Sequence, residues 1–583
     1  MAQPAIPART FKQPVVASRA AVATNHPLAS AAALEALAEG GNAVDAAVTG
    51  LFALTVVEPM MVGLTGSGFF LHRTAAGETV ALDNYGTVPA AARPDLFDPV
   101  PGSLEHETRS NRNSVGHLAA TVPGALAGWC QMLATHGTMP LARVVAPALR
   151  YAQHGFVVSP YLAQAITASP ELADHPAAAA IWCPGQPARG LAAGTRVHQP
   201  DYARTLALIA EAGPDALYRG ELGDLLVAEM DRADLATSLR PRTDGTPDTG
   251  PWITGADLAG YQARWRQPVV GTYRGFGVTS MPPASSGGTH VIQILNLLEH
   301  LDVAAMGFGS VAAVHHFLEA LKLAFADRTE HLADPDTPNP RGGAVPVEWL
   351  TSKAYAAARR HDISATRAAE FTAGSAPGTD GEGSCTTHVT VIDSDGAIVS
   401  TTQTINALFG ARAVVTGTGM MLNNCMALMD PVPGRTNSIA PGKRVLSSMS
   451  PTIVERDGRP WFALGTPGGN RIFAAVTQAI LNVIDHGMTL QQAVEAPRVW
   501  TMGMGSPVLV EDTFPNLAEL VTGLERLGHR VEVVDKVAGG MNGVLVDDDG
   551  LRHGAACWRA DGSPAGLSGG EARPASTILD RGR

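Results

Sequence analysis

The spacing of apolar residues changes along the chain. From Ala21 to Ala326 they recur mostly at helical intervals, and from Thr386 onward they mostly alternate with polar ones. Residues 1–20 read as a loose lead. The Ala-rich run Ala21–Glu39 predicts a helix stopped by Gly40-Gly41, and Asn42–Val57 predicts a second, buried helix. Gly63–Gly68 predicts a loop, and Phe69–His72 with Thr79–Leu82 a hairpin. Further helices are predicted at Ala125–His136, Leu141–His154, Asp201–Ala212, Val291–His300, Ser310–Ala326 and Ile472–His486. The Pro/Gly/Asp-rich stretches 184–196 and 239–251 read as surface connections. The segment 372–384 holds no apolar residue larger than Ala or Pro, so it is expected to be mobile. Strand patterns follow at 386–392, 397–405, 412–416, 451–455 and 461–464. Helices first and hairpins later, with no internal repeat, predict a layered α+β fold and not a βαβ array.

Composition narrows the function class. The chain has 583 residues, 45% apolar and 16% charged, which fits a compact enzyme and excludes a disordered chain. A length prior suggests roughly three or four domains, though large layered folds run longer as one unit. The net charge of −12 argues against a nucleic-acid partner, because phosphate binding needs a basic face. The five cysteines are scattered, odd in number and without a CxxC pair, so free thiols are expected rather than disulfides or zinc. The N-terminus lacks the apolar core of a secretory signal, and the apolar run near Ala46–Val57 is too short to span a bilayer. No membrane partner is expected, and the cytoplasm is the expected location.

The candidate chemistry lies in Gly383-Ser384-Cys385-Thr386-Thr387-His388. A hydroxyl or thiol is a weak nucleophile inside a chain. It becomes a strong one when cleavage makes its residue the first, because its own α-amine then serves as general base. Ser384, Cys385 and Thr386 are all candidates. Residues 386–392 alternate, Asp393-Ser394-Asp395-Gly396 signals a turn, and Ala397–Ile405 returns. If Ile392 pairs with Ile398, Thr386 faces Thr404, whose hydroxyl could orient Thr386 Oγ. This register favours Thr386. Thr402 shares that face, and Asn406 lies just beyond the strand end.

Several motifs extend the pattern in order: Asn25-His26-Pro27, Gly40-Gly41-Asn42-Ala43-Val44-Asp45, Val57-Glu58-Pro59, Pro283-Ala284-Ser285-Ser286-Gly287-Gly288, Ala326-Asp327-Arg328, Leu446-Ser447-Ser448-Met449-Ser450-Pro451 and Gly465-Thr466-Pro467-Gly468-Gly469. Together with Thr386-Thr387-His388 they resemble the γ-glutamyltransferases and related N-terminal-nucleophile hydrolases. The resemblance implies a four-layer αββα sandwich, made as a precursor and cut before Thr386 into subunits 1–385 and 386–583. These would form a heterodimer of the chain's own fragments, with a further pairing of heterodimers left open. Thr386 would be the nucleophile, with Thr404 holding its hydroxyl. Gly468 and Gly469 would offer N–H groups to the oxyanion, a role that suits residues allowing close backbone approach. Ser447 and Ser448 would line the pocket, and Asn406 would bind the substrate head. No cofactor and no metal is expected. The partner would be a small-molecule amide.

Two departures bear on specificity. γ-Glutamyl recognition in the family uses an Arg for the substrate α-carboxylate, in a segment that here reads Leu82-Asp83-Asn84-Tyr85-Gly86, so Tyr85 stands in its place. It also uses an Asp after an Asn-Asn pair for the α-amine, and here Leu428 follows Asn423-Asn424 at that position. Loss of a charged partner at a desolvated site costs several kcal/mol. Asp430, two residues on, is the acidic group left to substitute. The expected enzyme is therefore an amide hydrolase with a re-cut acyl pocket, as in relatives such as cephalosporin (glutaryl-type) acylases and an oxamate amidohydrolase. A true γ-glutamyl hydrolase or transpeptidase is the alternative. Arg412 is a candidate carboxylate anchor, and the small Gly86 beside Tyr85 is expected to leave room for a repositioned side chain at position 85. Gly63–Gly68 lacks phosphate-loop chemistry and reads as a packing or pocket wall. Adjacent His315 and His316 point to different helix faces and cannot share a metal. Asp327-Arg328 reads as a structural ion pair.

Overall fold

The computed structural model describes residues 10–103, 106–185, 189–232, 250–340, 342–373 and 385–571. It is mixed α/β around one antiparallel sheet of 13 strands. From one edge the order is Arg264–Arg266, Thr79–Asp83, Ser67–Arg73, Ile398–Asn406, Cys385–Ile392, Val15–Thr24, Arg552–Ala556, Asn542–Val546, Arg459–Gly465, Thr452–Arg456, Phe276–Ser280 and Val269–Tyr273. The strand Ser563–Glu571 also pairs with Val15–Thr24. Among the described residues one large apolar core runs through the helices and the sheet, with only a small satellite cluster at Leu332, Leu350, Tyr355 and Leu446, so the domain count suggested by length is not realised as comparable separate cores.

Val15–Thr24 corrects the sequence reading, which placed a loose lead here and began a helix at Ala21. The segment is a strand seated between Cys385–Ile392 and Arg552–Ala556. Its residues Ala20, Ala21, Val22 and Ala23 are buried on both faces. Small side chains suit a strand packed from both sides, and they carry no period that separates strand from helix. The helix itself starts at Pro27, whose fixed φ suits a first helical position, and runs Pro27–Ala38. The next helix, Ala43–Val57, is buried along its whole length and opens with a capping box between Asn42 and Asp45. It packs on both strands of the hairpin formed by Cys385–Ile392 and Ile398–Asn406. Gly287–Leu298 and Ile472–Ile484 pack together over other strands of the sheet.

The hairpin register is as predicted from Ile392↔Ile398 to Thr387↔Gln403. The predicted strand at 412–416 does not form. Phe409, Gly410 and Arg412 all have positive φ, which curls the chain, and only an isolated bridge Val414↔Met421 remains. The segment expected to be mobile lies outside the described residues from 374 to 384. Cys130, Cys183, Cys425 and Cys557 are free and buried. Among the described residues no helix is long and apolar enough to cross a membrane.

Candidate active site

Beyond the Thr387↔Gln403 pair the ladder slips by one, and the next pair is Cys385↔Asn406. Thr404 and Ile405 therefore both stand opposite Thr386. Such a bulge bends its strand and re-aims the side chains beside it. Thr404 Oγ1 accepts the Asn406 N–H at 2.7 Å, which closes the bulge into a tight turn with Asn406 at φ 79°. Asn406 Nδ2 in turn donates to the Asn424 carbonyl at 3.0 Å. The predicted trio Thr386, Thr404 and Asn406 is thus brought together, by a bulge that the alternating pattern does not reveal.

The Gly63–Gly68 loop walls this turn. A Cβ at Gly66 would collide with the Thr404 carbonyl oxygen. Gly66→Ala is therefore expected to displace the bulge and to lower both self-cleavage and kcat by about tenfold or more, as small misplacements of reacting groups do. Quantifying the uncut fraction and the turnover of the cut enzyme tests this. Unchanged values for both would remove Gly66 from the positioning of Thr404.

Next to Thr386, Thr387 Oγ1 donates to Glu58 Oε2 at 2.6 Å. Glu58 caps the Ala43–Val57 helix in the Val57-Glu58-Pro59 motif, and sequence reasoning assigned it no role. The signal was a carboxylate at the end of an apolar helix. Burial pushes its pKa up to about 8, against the opposing pull of the Thr387 hydroxyl. In the unfolded chain Glu58 loses its proton near 4.5, and in the folded chain near 8. The folded state then holds the extra proton between these values, so this group's contribution to stability falls as pH rises through that window. Glu58→Gln keeps an acceptor for Thr387 and cannot ionise. Its Tm relative to wild type is expected to rise between about pH 5 and 8 and to level off above. Parallel Tm–pH curves would show that Glu58 does not titrate in this way.

His388 of the same motif is held at Nδ1 by Thr402 at 2.9 Å and at Nε2 by Thr390 at 2.8 Å. Burial lowers its pKa to about 3, so it is neutral near pH 7. Its ring lies where a Cβ on Gly465 would fall, so it packs the hairpin against Arg459–Gly465.

Tyr85 is fully buried and stacks on Phe69 with centroids 5.2 Å apart. Its backbone is clamped: Asp83 Oδ1 accepts its N–H at 3.0 Å, and its carbonyl accepts from Arg444 at 2.7 Å and Tyr261 at 2.9 Å. The hydroxyl lies beside Ser447 and Cys425 with no hydrogen bond of normal geometry, and burial drives its pKa well up. Gly86 leaves no room here, contrary to expectation. A Cβ on it would strike Thr121, Val122 and Ser67.

Ser447 is fixed through its main chain, its carbonyl accepting from Ser286 N and Oγ, each at 2.8 Å. Arg328 Nε donates to Ser286 Oγ at 3.0 Å, and Asp327 accepts from Tyr355 at 2.6 Å, so both members of the Asp-Arg motif serve the scaffold. Ser448 Oγ donates to Asn470 Oδ1 at 3.0 Å. Asn470 follows Gly468 and Gly469, which have φ of 141° and 58° and form the turn into the Ile472–Ile484 helix. The pocket serines and the glycine turn are thus physically joined.

Arg412 is not brought to this group. Its Nε pairs with Glu171 at 3.1 Å. Asp430 does not replace a missing anchor either. It accepts from Val432 N–H at 2.8 Å and pairs with Arg435 at 3.2 Å. Leu428 is half-buried. A cleft of about 560 Å³ opens at Gly468, with Arg471, Lys536, Met61, Leu408 and Ala538 in its wall. Thr386 is not in that wall and is fully buried in the uncut chain.

Residues 29–567 match the family model for gamma-glutamyltranspeptidase. The chain is 48% identical to the acylase ACY 1 proenzyme of Pseudomonas sp. (strain SE83), over 96% of each chain. It is 38% identical to the glutathione hydrolase proenzyme of Escherichia coli (strain K12), over 93% of this chain and 90% of that one. The solved cephalosporin acylase from Bacillus halodurans superposes with a TM-score of 0.82 at 29% identity, covering 97% of this chain and 99% of the other. With a bulged threonine hairpin, a double-glycine turn and near-complete matches of this kind, the chain belongs to the γ-glutamyltranspeptidase family of amide hydrolases and acyltransferases.

Proposed function

We propose that this protein is a self-processing acylase that cuts between Cys385 and Thr386 and then uses Thr386 to hydrolyse a small acyl amide. One observation carries the reading. Thr386 Oγ1 and Asn406 Oδ1 are both buried without a hydrogen-bond partner, at the bulged end of the hairpin. Buried polar atoms are almost always paired, so such a group needs a reason, and a site waiting for substrate is one. The proenzyme names of the relatives support the cutting step. The cleaved fragments would remain one αββα unit, a reading supported by His388 packing on Gly465 between two parts of the sheet, with helices on the outer faces.

In the proposed reaction the freed α-amine of Thr386 takes the proton from Oγ as Oγ attacks the amide carbonyl. Thr404 positions the hydroxyl. The N–H groups of the Gly468-Gly469 turn face the developing oxyanion. The proton passes to the leaving amine as the C–N bond breaks, and water then cleaves the Thr386 ester. Tyr85, Ser447, Ser448 and Asn406 shape the acyl side, with no charged group among them. The leaving amine would lie toward the cleft, where Arg471 stacks on Trp500 at 5.1 Å and Lys536 on Tyr161 at 5.8 Å. The wall also carries Asp535 and Arg559, the latter paired with Glu511, so its net positive charge suits a carboxylated amine, as a cephalosporin nucleus provides. The test is a panel of amides with purified, cut enzyme: glutaryl and shorter acyl groups on cephalosporin nuclei and on p-nitroaniline, alongside γ-glutamyl-p-nitroanilide. Turnover confined to the γ-glutamyl compound would sink the acylase reading in favour of a glutathione hydrolase.

A further inference from the structure

A second constellation lies away from the nucleophile. His117 begins the short turn His117–Ala119, His175 precedes the Pro176–Trp182 helix, and Glu229 projects from the Glu221–Arg232 helix. More than fifty residues separate each from the next, so no sequence spacing marks them. In the fold, His117 Nε2 lies 3.3 Å and His175 Nε2 3.6 Å from the same oxygen, Glu229 Oε1. All three atoms lie within 4.8 Å of one another. The two rings are 5.6 Å apart and tilted by 52°. Glu229 Oε2 is fixed from behind by the Thr416 N–H at 3.1 Å.

The two histidine-to-carboxylate separations match edges of a metal tetrahedron, and the third, between the histidine nitrogens, is no more than 4.8 Å. With metal–nitrogen and metal–oxygen bonds of about 2.0–2.2 Å, neighbouring ligand atoms stand about 3.3–3.6 Å apart. We propose that His117, His175 and Glu229 bind one divalent transition-metal ion, Zn²⁺ being best suited, with water in the fourth position. Two imidazoles and one carboxylate are the donor set that zinc favours, and oxygen-seeking Mg²⁺ and Ca²⁺ do not. Each histidine side chain keeps 17% of its exposure, so an ion can enter.

A second histidine cluster serves as a contrast. His315 Nδ1 and His529 Nε2 are 2.8 Å apart near Glu319. There a resident cation, Lys322, already pairs with Glu319 at 2.9 Å, and His315 Nε2 donates to the Ser364 carbonyl at 2.7 Å. That leaves His315 Nδ1 to accept from His529 Nε2, so the facing nitrogens are already engaged with each other.

The ion's role would be mechanical. His117 ends a segment in which the Ser114 carbonyl accepts from Asn424 Nδ2 at 2.8 Å and Gly116 N–H donates to Ala411 at 2.9 Å. Asn424 is the residue that holds Asn406. Glu171, partner of Arg412, lies four residues before His175. One ion would thus tie three segments of the 1–385 portion to the wall of the acyl pocket, without touching the reacting atoms.

The test uses tag-free, cut enzyme, stripped with chelator and titrated with Co²⁺. One equivalent should bind with the visible absorption of a four-coordinate centre and be displaced by Zn²⁺. His175→Gln and Glu229→Gln should each lose it, while His529→Gln should keep it. Anomalous scattering at the zinc edge from wild-type crystals soaked in Zn²⁺ should place the ion between His117 and Glu229, whatever the variants' folding. No bound equivalent, retention in either of the first two variants, loss in His529→Gln, or a zinc peak elsewhere would overturn the proposal.

Discussion

Thr386→Ala is expected to purify as one uncut chain with no amide hydrolase activity. Both outcomes follow from one atom. In the proposed self-cleavage, Oγ of Thr386 attacks the Cys385 carbonyl and the C–N bond gives way to an ester. Water then splits the ester, returning the hydroxyl and freeing the α-amine. Alanine has no oxygen to begin this, so neither the new terminus nor the base forms. The expected loss of activity is at least ~10⁴-fold, as when a nucleophile is removed elsewhere. Thr386→Ser keeps the oxygen and should be cut, more slowly. Intact mass and N-terminal sequencing read the result. A small fragment beginning at a residue other than Thr386, or an intact chain that turns over substrate, would end the mechanism.

γ-Glutamyl amides are expected to be turned over at least ~100-fold less efficiently than the best acyl amide, since two missing charge-assisted contacts at ~1.5–3 kcal/mol each allow that much. The structure strengthens the argument. Tyr85 is stacked and clamped, Asp430 belongs to Arg435, and Arg412 to Glu171. None of these offers the zwitterion a charge. The packed surroundings of Gly86 also mean that Tyr85→Arg would bury a cation instead of installing an anchor, so that substitution is expected to destabilise the fold rather than restore γ-glutamyl preference. Measuring kcat/KM for glutathione against the acyl panel decides the matter. Glutathione cleaved at ~10⁴ M⁻¹s⁻¹ or above would restore the γ-glutamyl reading.

Different parts of this structure were legible in the sequence to different degrees, for physical reasons. The hairpin register could be read because side chains alternate with period two and Asp393–Gly396 fixes the turn. The bulge could not, since Thr404 and Ile405 are both ordinary strand residues and the groups that fit it, Gly66 against the Thr404 carbonyl and Asn424 bonded to Asn406, lie far away in the sequence or beyond the strand. Alanine hid the Val15–Thr24 strand, because a residue that fits every element announces none. The 412–416 run imitated a strand, yet three positive φ values in a row of four residues turned it toward Glu171. Glu58 was visible only as a motif, because its significance lies in Thr387, 329 positions away in the chain.

The place of Val15–Thr24 has one further consequence. This strand comes from the portion before the proposed cut, yet its neighbours, Cys385–Ile392, Arg552–Ala556 and Ser563–Glu571, lie across that cut or beyond it. The two products would be woven through a single sheet, so the peptide bond that is lost was never what joined them. Subunit exchange between differently labelled molecules should then be as slow as global unfolding. Each mature enzyme would keep for life the partner with which it was translated.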